Sequence, residues 1–329
     1  MEKVLIAHHW DADGIVSAAL LKKTLLKDVE ASFYTPPIGE YCLEDHVLRQ
    51  GFSKVYVLDL ALPEHEFIKV LSAGVALEVY DHHKWAPSSK LAEAKILVDP
   101  SQPSTSWLLA EYLNVEKGCL AALGAVGDNG VNIKGHPLFS EISSALESCG
   151  LSFEEALQLA ELLDMPYRVM NRSMIISTVR KVLQSNDLHD LLQDEELCKI
   201  RDALSAEINR VLSQPLDILA EGNIALLRFS SSYAISSAVG RQLAWMRRPA
   251  KVVVVINEGF FPDRDQYYIR LSENGIDLSP LIAEAKAKGW SAGGKREVAG
   301  IVVPKAESQQ YLAHLLKKLE EMLSGGVGK

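Results

Sequence analysis

Strand-like and helix-like segments alternate through the N-terminal part of the chain, and this alternation constrains the fold more than any other feature. Short apolar runs end at Ala7, Leu58 and Tyr80, as expected of buried strands. Apolar residues recur at helical spacing over residues 15–26, and a further helix is predicted over residues 41–50. Strands that alternate with helices through short connections predict an α/β fold with a parallel sheet.

Carboxylate and imidazole side chains stand where several of these segments end. The residues concerned are His8, His9, Asp11, Asp13, Asp59, Asp81, His82, His83 and Asp128. Open α/β sheets bind ligands outside the carboxyl ends of their strands, so we expect these side chains to meet. Each residue alone has a plainer explanation as a helix cap, a turn or a strand end. Their recurrence favours a metal site, and the mixed ligand set suits Mn, Zn or Fe better than Ca or Mg alone.

The order of these residues resembles a known family. The motifs are His9-Trp10-Asp11-Ala12-Asp13-Gly14, Asp59, Asp81-His82-His83 and Asp128. In this order they resemble the four motifs of the DHH phosphoesterases, a group with RecJ exonucleases, nano-RNA oligoribonucleases, pAp phosphatases, cyclic di-AMP phosphodiesterases and family II pyrophosphatases. The resemblance implies hydrolysis of phosphoester bonds with two divalent metal ions, Mn with Mg as the alternative.

The resemblance also implies a role for each residue. Asp59 would bridge both ions, His83 would contact the scissile phosphate or the leaving oxygen, and Asp81 would orient a His. The other implied ligands are His9, Asp11, Asp13, His82 and Asp128. Some relatives place the first His four residues before the first Asp, where this chain has Ala7. Others place it two residues before the first Asp, where this chain has His9, so His9 is favoured over His8 as the ligand.

The second half of the chain predicts another α/β domain. Strand-like runs at residues 223–227, 251–256 and 267–271 precede the sequence Gly-Gly-Lys-Arg-Glu-Val-Ala-Gly at residues 293–300. That sequence resembles the hallmark of the DHH-associated domain, with Lys295 in place of a His. The resemblance implies substrate binding by Arg270, Gly293, Gly294, Lys295 and Arg296. The alternatives are a glycine-rich turn and, for Arg270, an ordinary surface charge.

We therefore predict two α/β domains joined by helices, the C-terminal one being the smaller. The predicted parts are a metal-binding catalytic DHH domain over residues 1–185, a helical linker over 186–217 and a DHH-associated substrate-binding domain over 218–329. A helix is expected over residues 195–212, where apolar spacing is helical until Pro215.

Composition narrows the functional classes. A chain of 329 residues with 48% apolar and 23% charged residues is typical of a soluble protein with a core, and no run approaches the roughly 18 apolar residues of a membrane span. The net charge of −9 suits short or small phosphorylated substrates better than long nucleic acid. Four widely spaced cysteines predict neither disulfides nor a zinc knuckle, and an N-terminal apolar run too short for a signal peptide predicts a cytoplasmic location.

The leading functional hypothesis is two-metal hydrolysis that releases mononucleotides from short single-stranded oligonucleotides. Cleavage of pAp or of a cyclic dinucleotide needs the same metals and stays open as an alternative. A catalytically inactive scaffold of a replication complex is the alternative from another class. The sequence leaves open the cleavage polarity, the choice of RNA or DNA, and the oligomeric state, a homodimer included.

Overall fold

The structure is a computed structural model that describes residues 3–115, 117–273 and 275–325. The chain divides into two compact units, Met1–Arg201 and Asp202–Lys329, and each is described by itself. None of the described helices is both long enough and apolar enough to span a membrane.

The first unit contains one sheet and most of the helices. Its elements are β1 (Lys3–His8), α1 (Ala12–Thr24), β2 (Glu30–Tyr34), α2 (Asp45–Leu48), β3 (Lys54–Leu58), α3 (Glu64–Ser72), β4 (Ala76–Asp81), β5 (Lys95–Val98), α4 (Thr105–Tyr112), α5 (Cys119–Asn129), α6 (Phe139–Ser148), α7 (Phe153–Arg168), α8 (Arg172–Gln184) and α9 (His189–Leu192). The helix α10 (Glu195–Leu212) begins in the first unit and ends in the second.

All neighbours in the first sheet are parallel, in the order β2-β1-β3-β4-β5, so the predicted parallel α/β fold is confirmed. Helices cover both faces, as a parallel sheet requires. Ile15 of α1 and Leu123 of α5 belong to the core on one face. Phe67 and Val70 of α3 belong to the core on the other. This topology brings the carboxyl ends of β1, β3 and β4 to one edge.

The second unit contains a six-stranded mixed sheet. Its elements are β6 (Asp217–Leu219), β7 (Ile224–Phe229), α11 (Ser236–Gln242), a π-helical turn (Leu243–Arg247), β8 (Val252–Asn257), β9 (Arg264–Leu271), α12 (Ser279–Ala287), β10 (Ala292–Lys295), β11 (Val298–Pro304) and α13 (Lys305–Gly325). The strand order is β10-β11-β9-β8-β7-β6, with β7 and β8 parallel and the other pairs antiparallel. The predicted C-terminal α/β fold is thereby confirmed.

The prediction that the cysteines form no disulfide is wrong for one pair. Cys119, the first residue of α5, is bonded to Cys149, which directly follows α6. The two residues are 30 positions apart, and only the packing of α6 beside α5 brings them together. Sequence spacing does not reveal such a pairing, because it depends on tertiary contacts rather than on a short motif.

Candidate metal centre

Carboxylates and imidazoles from five segments meet at the carboxyl edge of the first sheet. Three overlapping groups of residues can be distinguished, and within each group the candidate ligand atoms all lie within 4.8 Å of one another. They are His9, Asp11 and Asp59; Asp13, Asp59, His82 and Asp128; and Asp59, His82 and His83. Asp59 belongs to all three groups and is therefore the centre of the arrangement.

Asp59 is held in an unusual backbone conformation directly after β3. Its φ is 59°, in the left-handed region that few residues other than glycine adopt, although Asp tolerates it better than most. Its carboxylate is 1% exposed; Oδ1 accepts a hydrogen bond from Thr105 Oγ1 at 3.0 Å, and Oδ2 is buried without a hydrogen-bond partner among the described residues. Burial and the neighbouring carboxylates, Asp13 first, raise the pKa of Asp59 well above its ordinary value. A bound cation would stabilise the ionised carboxylate against both burial and the repulsion of its neighbours.

Asp13 of α1 is fully buried, and its carboxylate lies at the N-terminus of α4. Its Oδ2 accepts a hydrogen bond from the Thr105 amide at 2.7 Å, and its Oδ1 accepts one from the Ser106 amide at 3.1 Å. Free amides and the helix dipole at a helix N-terminus favour a carboxylate there. The side chain of Ser104 caps the same helix by accepting a hydrogen bond from the Trp107 amide. Burial nevertheless raises the pKa of Asp13 above its ordinary value.

Asp11 and His9 form the opposite side of the cluster. Asp11 caps α1 by accepting a hydrogen bond from Gly14 at 3.1 Å, and its other oxygen lies 2.6 Å from His9 Nδ1. Gly14 is needed here because a Cβ would lie 2.4 Å from the carbonyl oxygen of His9. Burial acts to raise the pKa of Asp11, but His9 lowers it below the ordinary value. The contact with His9 therefore favours the ionised form of this carboxylate.

His82 and Asp128 approach each other across the sheet edge. Asp128 lies near the C-terminal end of α5, and its Oδ2 is 2.8 Å from His82 Nε2. The other ring nitrogen of His82 lies 3.3 Å from the carbonyl oxygen of Gln102, which fixes the orientation of the ring. Burial lowers the pKa of His82, but Asp128 and Asp13 raise it to about 9. Burial and Asp13 raise the pKa of Asp128 to about 7.

Asp81 contacts His83, which belongs to one of the three groups of ligand atoms. Asp81 Oδ1 lies 2.8 Å from His83 Nδ1, and Oδ2 accepts a hydrogen bond from Trp85 Nε1 at 2.7 Å. Asp81 is fully buried, whereas the side chain of His83 is 51% exposed. Burial acts to raise the pKa of Asp81, but His83 and then Trp85 keep it below its ordinary value. Asp81 thus orients the imidazole of His83, which stays accessible.

Residues 3–127 match the DHH family, N-terminal domain. These residues are a DHH domain. Over 122 residues the chain is 28% identical to the single-stranded-DNA-specific exonuclease RecJ of Bacillus subtilis (strain 168). The match covers 35% of this chain and 15% of that RecJ, so the chain corresponds to a minor part of its relative's length.

Solved structures of the same fold extend over nearly the whole chain. A manganese-bound exonuclease RecJ has a TM-score of 0.63 at 18% identity, covering 100% of this chain and 91% of the other. The DHH domain of a member of the s1p family of ribosomal proteins has a TM-score of 0.69 at 16% identity, covering 97% and 87%. A pGpG-specific phosphodiesterase of Vibrio has a TM-score of 0.53 at 12% identity, covering 99% and 100%. At these identities the likeness shows the fold.

His8 is turned away from the centre of the DHH domain. It is fully buried at the end of β1, with Nδ1 2.7 Å from the carbonyl oxygen of His9. Burial lowers its pKa to about 4, so it is held neutral. It belongs to none of the three groups, whereas His9 does. This placement supports His9 as the ligand, which stays a prediction.

Asp164 of α7 contacts the backbone between Asp11 and Asp13, which was not predicted from the sequence. Its Oδ1 accepts a hydrogen bond from the Ala12 amide at 3.0 Å. Ala12 stands between the candidate ligands Asp11 and Asp13. The other oxygen, Oδ2, lies 3.3 Å from Arg168 Nη2. Burial raises the pKa of Asp164 to about 6, against the effect of Arg168. The available signal was its spacing of four from the buried Ala160, which places a charge at a core position of the helix.

The residues of the three groups fit divalent cations. The three groups bring four carboxylates together with three imidazoles, and Asp59 Oδ2 is buried without a hydrogen-bond partner among the described residues. Burial and mutual repulsion raise the pKa of Asp59 and Asp128. Carboxylate and imidazole ligands in one site suit Mn, Zn or Fe better than Ca or Mg alone. Solved RecJ structures contain manganese or, in Thermus thermophilus, Mn²⁺ or Mg²⁺.

The residues predicted to bind substrate belong to the second unit and lie in β9, in β10 or directly after β10, with β11 between these two strands. Gly293, Gly294 and Lys295 belong to β10, Arg296 follows it, and Arg270 is in β9. Lys295 and Arg296 are exposed, while Arg270 is half-buried. Gly294 has a φ of 141°, and a Cβ there would lie 2.1 Å from the carbonyl oxygen of Val298, so glycine is required. Substrate binding by these residues stays a prediction.

Proposed function

We propose that this protein is a metal-dependent phosphoesterase that releases mononucleotides from short single-stranded oligonucleotides. The observation that carries the proposal is the convergence on Asp59 of three groups of ligand atoms, whose members other than Asp128 all lie within residues 3–127. A structural role for so many buried carboxylates would raise their electrostatic energy without compensation. A cation-dependent reaction gives the arrangement a function.

The ligands divide between two ion positions in the proposed mechanism. Asp59 would bind both ions, His9 and Asp11 would complete one position, and the other would take the remaining ligands, Asp13, His82 and Asp128. When bound, the ions would stabilise charge on the phosphoryl oxygens and favour deprotonation of the attacking water. The hydrogen bonds to Asp13 and His82 hold these ligands in place before an ion arrives.

His83 is the candidate for direct contact with the substrate. Its exposed imidazole is oriented by Asp81 and lies 3.6 Å from Asp59 Oδ1, beside the ion positions. In its protonated form it would donate a hydrogen bond to a phosphoryl oxygen or a proton to the leaving oxygen. The buried carboxylate of Asp81 holds the ring in this orientation through Nδ1.

Short single strands are the substrate class that the observations favour. The Bacillus relative is named as specific for single-stranded DNA, and the Vibrio neighbour is named as specific for pGpG. From residue 218 onward the chain has 15 Lys and Arg against 11 Asp and Glu, whereas the whole chain has 34 against 43. We infer that the second unit, which includes Arg270, Lys295 and Arg296, binds the phosphates of the substrate.

Hydrolysis of a substrate panel tests this proposal. End-labelled DNA and RNA single strands of graded length are compared with pAp and cyclic di-AMP, each with Mn²⁺, with Mg²⁺ and with chelator. We expect stepwise mononucleotide release, fastest from the shortest strands, and none in chelator. Turnover of pAp or the cyclic dinucleotide alone would transfer the function to that substrate. No turnover with either metal would favour the inactive scaffold.

Asp59→Asn is the decisive variant in this assay. Mutation of a group that merely orients a metal ligand lowers metal affinity or activity by about 10–100-fold. Loss of a ligand shared by both ion positions should therefore reduce turnover by more than about a hundredfold. Asp99→Asn is the matched control, because Asp99 also follows a strand but accepts hydrogen bonds from Ser101 and belongs to none of the three groups. Equal activity of the two variants would contradict the proposed role of Asp59.

A further inference from the structure

Trp245 is an exposed aromatic side chain that an arginine partly covers. It lies in the π-helical turn of the second unit and is 50% exposed. The guanidinium carbon of Arg270 is 4.1 Å from the centre of the Trp245 ring. A guanidinium is attracted to the electron-rich face of an indole. The pair therefore presents a flat, positively charged and partly apolar surface.

Arg270 keeps most of its hydrogen-bonding capacity free. Its Nη1 donates a hydrogen bond to the hydroxyl of Tyr268 at 2.9 Å, and its Nε is buried without a partner in the part of the chain that the structure describes. Arg has five N–H donors in one plane, and a buried donor without an acceptor is costly. Arg270 is half-buried, so a ligand with acceptors can approach the part of the side chain that stays exposed.

Glycines leave the sheet surface next to this pair bare. Two cross-strand rows run side by side: Gly293, Gly300 and Tyr268, and then Lys295, Val298 and Arg270. Directly opposed residues of antiparallel strands share a face, and so do residues two apart. A Cβ on Gly293 would meet no atom within 4 Å, so space remains beside the backbone. The surface beside Gly293 is therefore open to an approaching ligand.

We propose that Trp245 and Arg270 form a stacking subsite for a base of the single-stranded substrate. The inference rests on the proposed function, because it takes the substrate to be a nucleotide. Bases stack on aromatic side chains and on the guanidinium plane of Arg. A phosphate without a base offers nothing to stack. The subsite therefore makes the base a determinant of binding and gives Arg270 a role beyond neutralising phosphate.

Binding in chelator tests the subsite without relying on hydrolysis. Fluorescence anisotropy of the full-length protein is measured with a labelled single-stranded trinucleotide and with a probe of the same length that has sugars and phosphates but no bases. We expect Trp245→Ala to weaken binding of the trinucleotide about tenfold and to leave binding of the abasic probe unchanged. Trp245→Phe should retain most of the affinity, because it keeps an aromatic face.

Phe261→Ala is the matched control, since Arg264 lies 4.5 Å above the Phe261 ring in the same unit. This variant should bind both probes as the wild type does. Arg270→Lys keeps the charge but not the plane, and it should show the same base-selective loss even if Trp245→Ala does not fold. Equal losses for both probes, or none for the trinucleotide, would overturn the subsite. Base-selective binding without hydrolysis in metal would refute the proposed function instead.

Discussion

The carboxylate of Asp164 fixes the start of the helix that carries two candidate ligands. It accepts a hydrogen bond from the Ala12 amide at 3.0 Å, and Asp11 and Asp13 lie on either side of that amide. We expect Asp164→Ala to weaken Mn²⁺ binding about 10–100-fold, because α1 would lose this attachment. Isothermal titration with Mn²⁺ measures the change.

Two variants of α7 separate this role from general damage to the helix. Asp164→Asn keeps an acceptor for the Ala12 amide, so it should bind Mn²⁺ more tightly than Asp164→Ala. Glu161→Ala changes an exposed side chain of the same helix and should bind as the wild type does. Wild-type affinity in Asp164→Ala would show that the contact with Ala12 does not position the ligands.

The shifted pKa of His82 predicts how the metal-free protein responds to pH. Burial acts to lower this pKa, but Asp128 and Asp13 raise it from 6.5 to about 9. A raised pKa in the folded state contributes stability that is complete below the ordinary pKa and is lost as the pH rises through the folded value. In chelator, the melting temperature should therefore fall between pH 6.5 and about 9.

His82→Asn should flatten this pH dependence. His9 has a pKa raised in the same direction, so part of the slope should persist. His46→Asn is the matched control because the side chain of His46 is 70% exposed, and it should leave the slope unchanged. The same dependence of melting temperature on pH in the wild type and both variants would contradict the ion pairing assigned to His82. A melting temperature that rises with pH over this range would contradict it too.

At the scale of elements, the approach of α5 to Asp13 depends on a missing side chain. Alanine is the better helix former by about 1 kcal/mol, so Gly→Ala usually stabilises a helix interior. At Gly124, however, the added Cβ would lie 2.0 Å from Ser106 Oγ and 2.2 Å from Asp13 Oδ1. We expect Gly124→Ala to lower both the melting temperature and the affinity for Mn²⁺.

Gly135→Ala provides the comparison for this steric effect. No atom lies within 4 Å of the Cβ that it would add, so its melting temperature and Mn²⁺ affinity should match the wild type. If Gly124→Ala behaved in the same way, α5 would have room to move away from Asp13. The close packing of α5 would then have no part in holding the ligand.

The predicted helix over residues 41–50 shows where helical propensity was overruled. The structure has only Asp45–Leu48 in helix there. The amide of Leu43 donates to Glu66 at 2.7 Å, and its carbonyl oxygen accepts from Lys69 at the same distance. Because these backbone groups bond to side chains of α3, they are not available for helical hydrogen bonds. Sequence spacing cannot reveal a competitor from another element.

At the scale of the whole molecule, patterns local in sequence were predictable and contacts between distant segments were not. The parallel sheet followed from alternating strands and helices, and α10 has the predicted bounds, residues 195 to 212. The strand-end carboxylates came together because parallel strands end at one edge. Asp164 and the bond between Cys119 and Cys149 depend on helix packing, for which the sequence carries no short-range signal.

The number of Mn²⁺ ions bound per chain tests the central claim most directly. The proposed centre predicts two ions in the wild type, measured by isothermal titration and by electron paramagnetic resonance of the bound ions. Asp59→Asn should bind fewer, because Asp59 belongs to all three groups of ligand atoms. An absence of binding in the wild type, or unchanged stoichiometry in Asp59→Asn, would contradict a metal centre built around this residue.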